Sequence, residues 1–255
     1  MLIIRKEQME TFSQQRFEKF ENEMVDFVQK IYPYHYQILG ESPIRLLIQY
    51  GIERAEHYGL TTERDACRYI SLMLVFGSDF DQDPQYPWAQ RILNDESIPG
   101  SDTRSRLLYD EELFYLEEVF GADGTIFINV LKKLRQDSLD NWSLYSYDNF
   151  EKDMLSKLNQ IYPQKYENTA ENSLCQLVKR GMSDSDQYGI GKPGYKSLYV
   201  SFMFLLGSGF NKDLQYPWAS RVLNNQALAN EDEKVTQLYT EAMDYLDNWL
   251  DVIDN

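Results

Sequence analysis

Gln85-Tyr86-Pro87-Trp88-Ala89 reads QYPWA, and the same five residues return as Gln215-Tyr216-Pro217-Trp218-Ala219. Working outward at this 130-residue offset, Ile31-Tyr32-Pro33 meets Ile161-Tyr162-Pro163 and Tyr58-Gly59 meets Tyr188-Gly189. Gly77-Ser78 meets Gly207-Ser208, and Leu108-Tyr109 meets Leu238-Tyr239. From Phe20 to Leu116 about a third of positions are identical without a gap, the mark of a tandem repeat. The sequence therefore predicts two similar units, residues 1–120 and 146–255, joined by a connecting segment, 121–145, that carries a helix.

The local periodicity is helical. Tyr69, Leu72, Met73 and Phe76 follow the i, i+3, i+4, i+7 rule, as do Tyr199, Phe202, Met203 and Leu206. Thr61 or Thr62 can cap the first of these helices, and Pro193 suits the first turn of the second. Gly77 and Gly207 fall where a left-handed residue would stop a helix. Further helices are expected over Arg5–Ile31, Pro43–Tyr58, a short stretch after Pro87, and Asp102–Phe120, with a connecting helix near Thr125–Leu134. Period-2 alternation is nearly absent, so the predicted fold is all-α, two tandem, internally duplicated helical units packed together. Within it, Asp83 and Asp213 are expected to cap the helices that open on QYPWA, with Trp88 and Trp218 in the core.

The net charge is −16 and the pI about 4.5. Such a surface repels phosphate backbones and anionic lipid, which argues against nucleic acid and membrane and toward a basic protein partner. The opening MLIIRKEQMETF has too short an apolar run for a signal peptide, so a cytoplasmic location is expected. Cys67 and Cys175 occupy non-equivalent positions and read as free thiols.

No constellation nominates a catalytic residue, a metal site or a cofactor. Asp79, Asp81 and Asp83 begin like a calcium loop, but Pro84 stands at its sixth position and Gln90 at its twelfth. His35 becomes Lys165 and His57 becomes Gln187 at the repeat offset, which argues against zinc. Gly189-Ile190-Gly191-Lys192 lacks the preceding strand of a phosphate loop. Arg91 and Arg221, kept in both units, are expected to pair with Asp83/Asp213 or Glu111/Glu241.

The units differ most in acidity. Residues 1–127 hold 12 basic and 23 acidic side chains, against 13 and 18 in residues 128–255. Glu53, Glu56, Glu63, Asp65, Asp79, Asp81 and Asp110 are all lost, shortened or replaced in the second unit. Whatever differs between units is not required by their common scaffold, so these seven are the candidate partner-binding residues.

The first unit resembles a group of uncharacterised bacterial proteins with a Y-G-…-E-x-D-…-Y-x-x-L-M-x-x-F-G-x-x-F-D-x-D-P-x-x-P-W-A pattern. Here that is Tyr58-Gly59, Glu63, Asp65, Tyr69, Leu72-Met73, Phe76-Gly77, Phe80-Asp81, Asp83-Pro84 and Pro87-Trp88-Ala89. The second unit departs from it at Pro193, Asn211 and Leu214. Such proteins occur beside effectors of the type VI secretion system, and the resemblance implies an immunity protein or an effector adaptor. The expected function is thus non-enzymatic: binding and neutralising a basic secreted toxin through an acidic surface. An adaptor or chaperone for type VI secretion, and an enzyme with an unrecognised helical active site, are the alternatives.

Overall fold

A computed structural model describes residues 6–121, 124–136, 138–139, 146–228 and 230–254. Among the described residues the regular structure is entirely helical. The first half contains α1 (Lys6–Ile31), α2 (Pro33–Leu39), α3 (Glu41–His57), α4 (Glu63–Phe76), α5 (Pro87–Asn94) and α6 (Gly100–Tyr115), the last running into a π-helical turn, Leu116–Phe120. The second contains α8 (Phe150–Ile161), α9 (Pro163–Glu167), α10 (Glu171–Gln187), α11 (Pro193–Leu206), α12 (Pro217–Leu223) and α13 (Glu231–Asp254). Between them lies α7 (Thr125–Arg135), the expected connecting helix. The bounds of α3 and α10, and of α4 and α11, are each separated by the 130 residues seen in the sequence.

Local chemistry accounts for these bounds. Thr62 accepts a hydrogen bond from the Asp65 amide at 3.1 Å and opens α4, while Pro193 occupies the first turn of α11. The turns that close α3 and α10 are held by equivalent cations: Arg104 Nη1 donates to Tyr58 O at 2.9 Å, and Lys234 Nζ to Tyr188 O at 2.7 Å. The short helices α2 and α9 start on the prolines of the repeated Ile-Tyr-Pro, and the sequence reading did not resolve them. Arg5 lies outside the described residues.

The central helices α4 and α11 are buried on nearly every side. Tyr69 stacks on Phe80 at 4.9 Å and Tyr199 on Phe210 at 5.0 Å, one aromatic pair in each half. A single hydrophobic cluster runs through both halves. The halves also exchange short helices, since α2 packs on α13 and α9 packs on the π-helical turn after α6.

The midline between halves is where QYPWA acts. Gln85 Nε2 donates to Met203 O at 3.0 Å, and Gln215 Nε2 donates to Met73 O at 2.8 Å. Asp83 Oδ2 accepts from the Ser208 amide at 2.6 Å, and Asp213 Oδ2 from the Ser78 amide at 2.7 Å. Each half therefore satisfies buried backbone groups at the end of the other half's central helix. This corrects the capping role expected for the two aspartates. The N-cap positions of α5 and α12 are Tyr86 and Tyr216, with no side-chain cap; Asp83 and Asp213 accept from the Gln85 and Gln215 amides just before those helices and, with their other oxygens, from the opposite half. Burial raises both carboxyl pKa values, and these N–H bonds oppose the rise.

Gly77 and Gly207 end α4 and α11 as expected, but for a second reason as well. Their φ values are 96° and 100°, with ψ of 154° and 147°, an extended glycine region rather than the left-handed helical one. Their Cα atoms face each other, and a Cβ on Gly207 would stand 2.9 Å from Phe76 O. The glycines thus let the two chains touch. Trp218 is buried beside Phe202 and Tyr245, whereas Trp88 is half-buried against Phe76. Arg91 pairs with Glu111 at 3.6 Å and Arg221 with Glu241 at 2.5 Å, so the glutamates, not the midline aspartates, are their partners.

Candidate partner-binding face

The seven acidic candidates separate by what surrounds them. Asp65 and Asp81 are buried and engaged internally. Asp65 sits in the first turn of α4 and accepts from Ser105 Oγ at 2.7 Å. Burial alone would raise its pKa, but hydrogen bonds from Thr62, Ser105 and Ser101 outweigh that and hold it below the usual carboxylate value. Asp81 pairs with the Arg54 guanidinium and accepts from Tyr58 Oη at 2.7 Å. Both carboxylates are buried and so do not face a partner in this fold, although Asp65 Oδ2 and Asp81 Oδ1 have no hydrogen-bond partner of their own among the described residues.

Asp79 is half-buried at the junction of the halves, between Tyr50 Oη at 3.1 Å and Lys212 Nζ at 3.0 Å. Glu53, Glu56, Glu63 and Asp110 remain exposed. In α3 the residues Ile52 and Ala55 turn inward, which leaves Glu53 and Glu56 on the outer face.

Two open grooves in the first half take up three of the exposed four. The first, about 380 Å³, has Phe17, Phe20, Ile52, Leu60 and Ala66 among its walls, with Glu56 and Glu63 at its edge. Arg16 stands 4.0 Å from Glu63 there, an exposed pair of little energetic weight. The second, about 480 Å³, lies between α5 and α6, with Ile92, Ile98, Leu107 and Phe114 beside Asp95, Asp110 and Glu111.

The outer face of α6 adds what the sequence reading missed. Tyr109, Leu113 and Phe114 are 41%, 47% and 59% exposed, and Asp110 and Glu117 lie on the same stretch of helix surface. The sequence reading placed these three on a helix over Asp102–Phe120 and gave them no role. The repeat did hold a signal: position 114 is Phe in the first half, while its equivalent is Asp244. A core position would not accept that exchange.

Among the described residues no helix is long and apolar enough to cross a membrane. Cys67 and Cys175 are free thiols. No family model matches the chain, and comparison with curated proteins and with solved structures found no match.

Proposed function

We propose that the chain is a non-enzymatic, cytoplasmic protein-binding protein that captures a basic protein partner, acting as an immunity protein against a toxin delivered by type VI secretion. The observation that carries the binding reading is the exposed Tyr109–Leu113–Phe114 strip of α6, bordered by Asp110 and Glu117. Exposed aromatic surface ringed by charge suits a docking face better than a bare acidic surface does, since aromatic anchors slow dissociation while the acidic ring speeds encounter. The resemblance of the first unit supports the toxin as the partner class.

The test is co-expression, in a recipient strain with and without this chain, of a secreted toxin if one is encoded beside it. Protection that is lost with Phe114→Asp supports immunity. Binding without protection supports the adaptor role, and loss of neither binding nor protection in Phe114→Asp removes α6 as the docking face.

A further inference from the structure

A cavity of about 230 Å³ lies between the halves, walled largely by apolar side chains that include Leu116, Phe120, Phe127, Leu131, Leu246 and Trp249. Two basic side chains line it, at positions 130 residues apart: His35 on α2 and Lys165 on α9. The scaffold thus brings one pair of equivalent positions to one cavity and gives them different chemistry.

Lys165 is 4% exposed. Its Nζ donates to Tyr86 Oη at 3.0 Å and lies 5.1 Å from the centre of the Phe204 ring and 5.4 Å from that of Tyr86. Among the described residues no carboxylate forms an ion pair with it. Asp83 favours its charge from a distance, but the Asp83 oxygens are occupied by Gln85 and the Ser208 amide. Burial lowers the Lys165 pKa to about 8, so the ammonium form still predominates at neutral pH. An ammonium carries three N–H groups, and one of these has a protein acceptor here.

His35 differs. Burial lowers its pKa to about 4, leaving the ring neutral at neutral pH. Its Nε2 lies 3.0 Å from Leu74 O, and a carbonyl only accepts, so Nε2 carries the proton and Nδ1 a lone pair. Trp249 meets the ring edge-on at 4.7 Å. Of the two equivalent positions, one therefore offers the cavity a cation and the other does not.

We propose that this cavity binds a monocarboxylate with an apolar body, the carboxylate pairing with Lys165 Nζ and the body lying among the aromatic and leucine side chains. A neutral ligand would leave the buried ammonium unpaired. A phosphate dianion would need more donors than one lysine supplies. The volume holds about eight water-sized groups at about 30 Å³ each, which sets the body near that of a medium-chain fatty acid. This inference is independent of any protein partner.

The experiment is isothermal titration of the full chain at pH 7 with octanoate, octan-1-ol and octylamine. Octanoate should bind saturably at one site, about tenfold or more tighter than octan-1-ol, the difference expected for a charge-assisted hydrogen bond. Octylamine should not bind. Lys165→Met should lose octanoate by a similar factor while keeping octan-1-ol. A second arm uses the unaltered protein: octanoate affinity should fall between pH 7 and pH 10 as the ammonium loses its proton, with octan-1-ol unaffected. Absence of saturable octanoate binding, equal affinity for acid and alcohol, or a flat pH profile would overturn the proposal.

Discussion

Glu112 offers a test of the fold's electrostatics whose size follows from the structure. It lies on the inner face of α6, 4% exposed, and its equivalent in the second half is Ala242. Burial raises its pKa from 4.5 to about 7. Below pH 4.5 the carboxyl is protonated in both folded and unfolded chains and contributes no pH dependence. Between pH 4.5 and 7 the folded protein keeps a proton that the unfolded chain has lost, so stability falls as pH rises. Above pH 7 the loss is complete, and at 1.36 kcal/mol per unit it amounts to about 3 kcal/mol. Glu112→Gln keeps the shape and removes the charge. The variant should match the wild type at pH 4 and exceed it at pH 8, with a midpoint higher by about 6–12 °C for a chain of this size. Thermal unfolding followed by circular dichroism at half-unit steps of pH would measure it. Taking the difference between the two proteins cancels every other titrating group far from this site. A difference that does not change with pH, or a variant less stable at pH 8, would refute the assignment of a buried, uncompensated carboxyl.

His35 should give the opposite limb. Its folded pKa of about 4 lies below the ordinary 6.5, so stability should fall as pH drops through that window, and His35→Gln should flatten the acid side of the same profile. Asp83→Ala leaves the Ser208 and Gln85 amides buried without their acceptor, at about 1–3 kcal/mol each, and should lower the urea midpoint correspondingly. Gly207→Ala adds a Cβ 2.9 Å from Phe76 O at a positive φ and should cost about 2 kcal/mol or more, whereas Gly191→Ala, with open space around it, should change the midpoint little. At the proposed docking face, charge reversal at Asp110 and Glu117 should slow association with a basic partner and make it less sensitive to salt, read by surface plasmon resonance. The same reversal at Asp81 should instead unfold or weaken the protein, because it strands the Arg54 guanidinium.

The parts legible in the sequence were those decided within a turn or two of helix. Period, Thr62, Pro193 and the glycines after Phe76 and Leu206 act over a few residues, and the element bounds followed from them. What escaped depends on partners brought from far along the chain. Asp83 and the Ser208 amide are separated by 125 residues, so nothing local to Asp83 distinguishes a cap for its own helix from a bond across the midline. Asp65 and Asp81 looked like surface charge because Ser105 lies 40 residues from the one and Arg54 lies 27 from the other. Comparison of the repeats marked all seven acidic positions as non-scaffold. It could not separate those that face water from those that bond within one half, since both kinds differ between halves.

The midline shows why certain positions are identical in the two halves. The bonds are reciprocal: Gln85 reaches Met203 and Gln215 reaches Met73, as residues do across a two-fold interface between identical subunits. In such an arrangement a residue's partner is supplied by the other copy, so one change disturbs a contact that its equivalent position still makes. Gly77 and Gly207 illustrate the constraint most sharply, because each excludes a side chain from the other's space. Away from the axis the constraint relaxes, and the symmetry breaks in steps. The Ser78 and Ser208 hydroxyls both favour the opposite half's aspartate, but Ser208 Oγ also takes Arg180 Nη1 at 3.1 Å. At the cavity the break is complete, with a neutral imidazole at one position and an ammonium at the other. A cavity lined alike from both sides would offer a ligand two equivalent orientations. The exchange of His35 for Lys165 leaves one cation at the cavity, which would hold the proposed carboxylate ligand in a single direction.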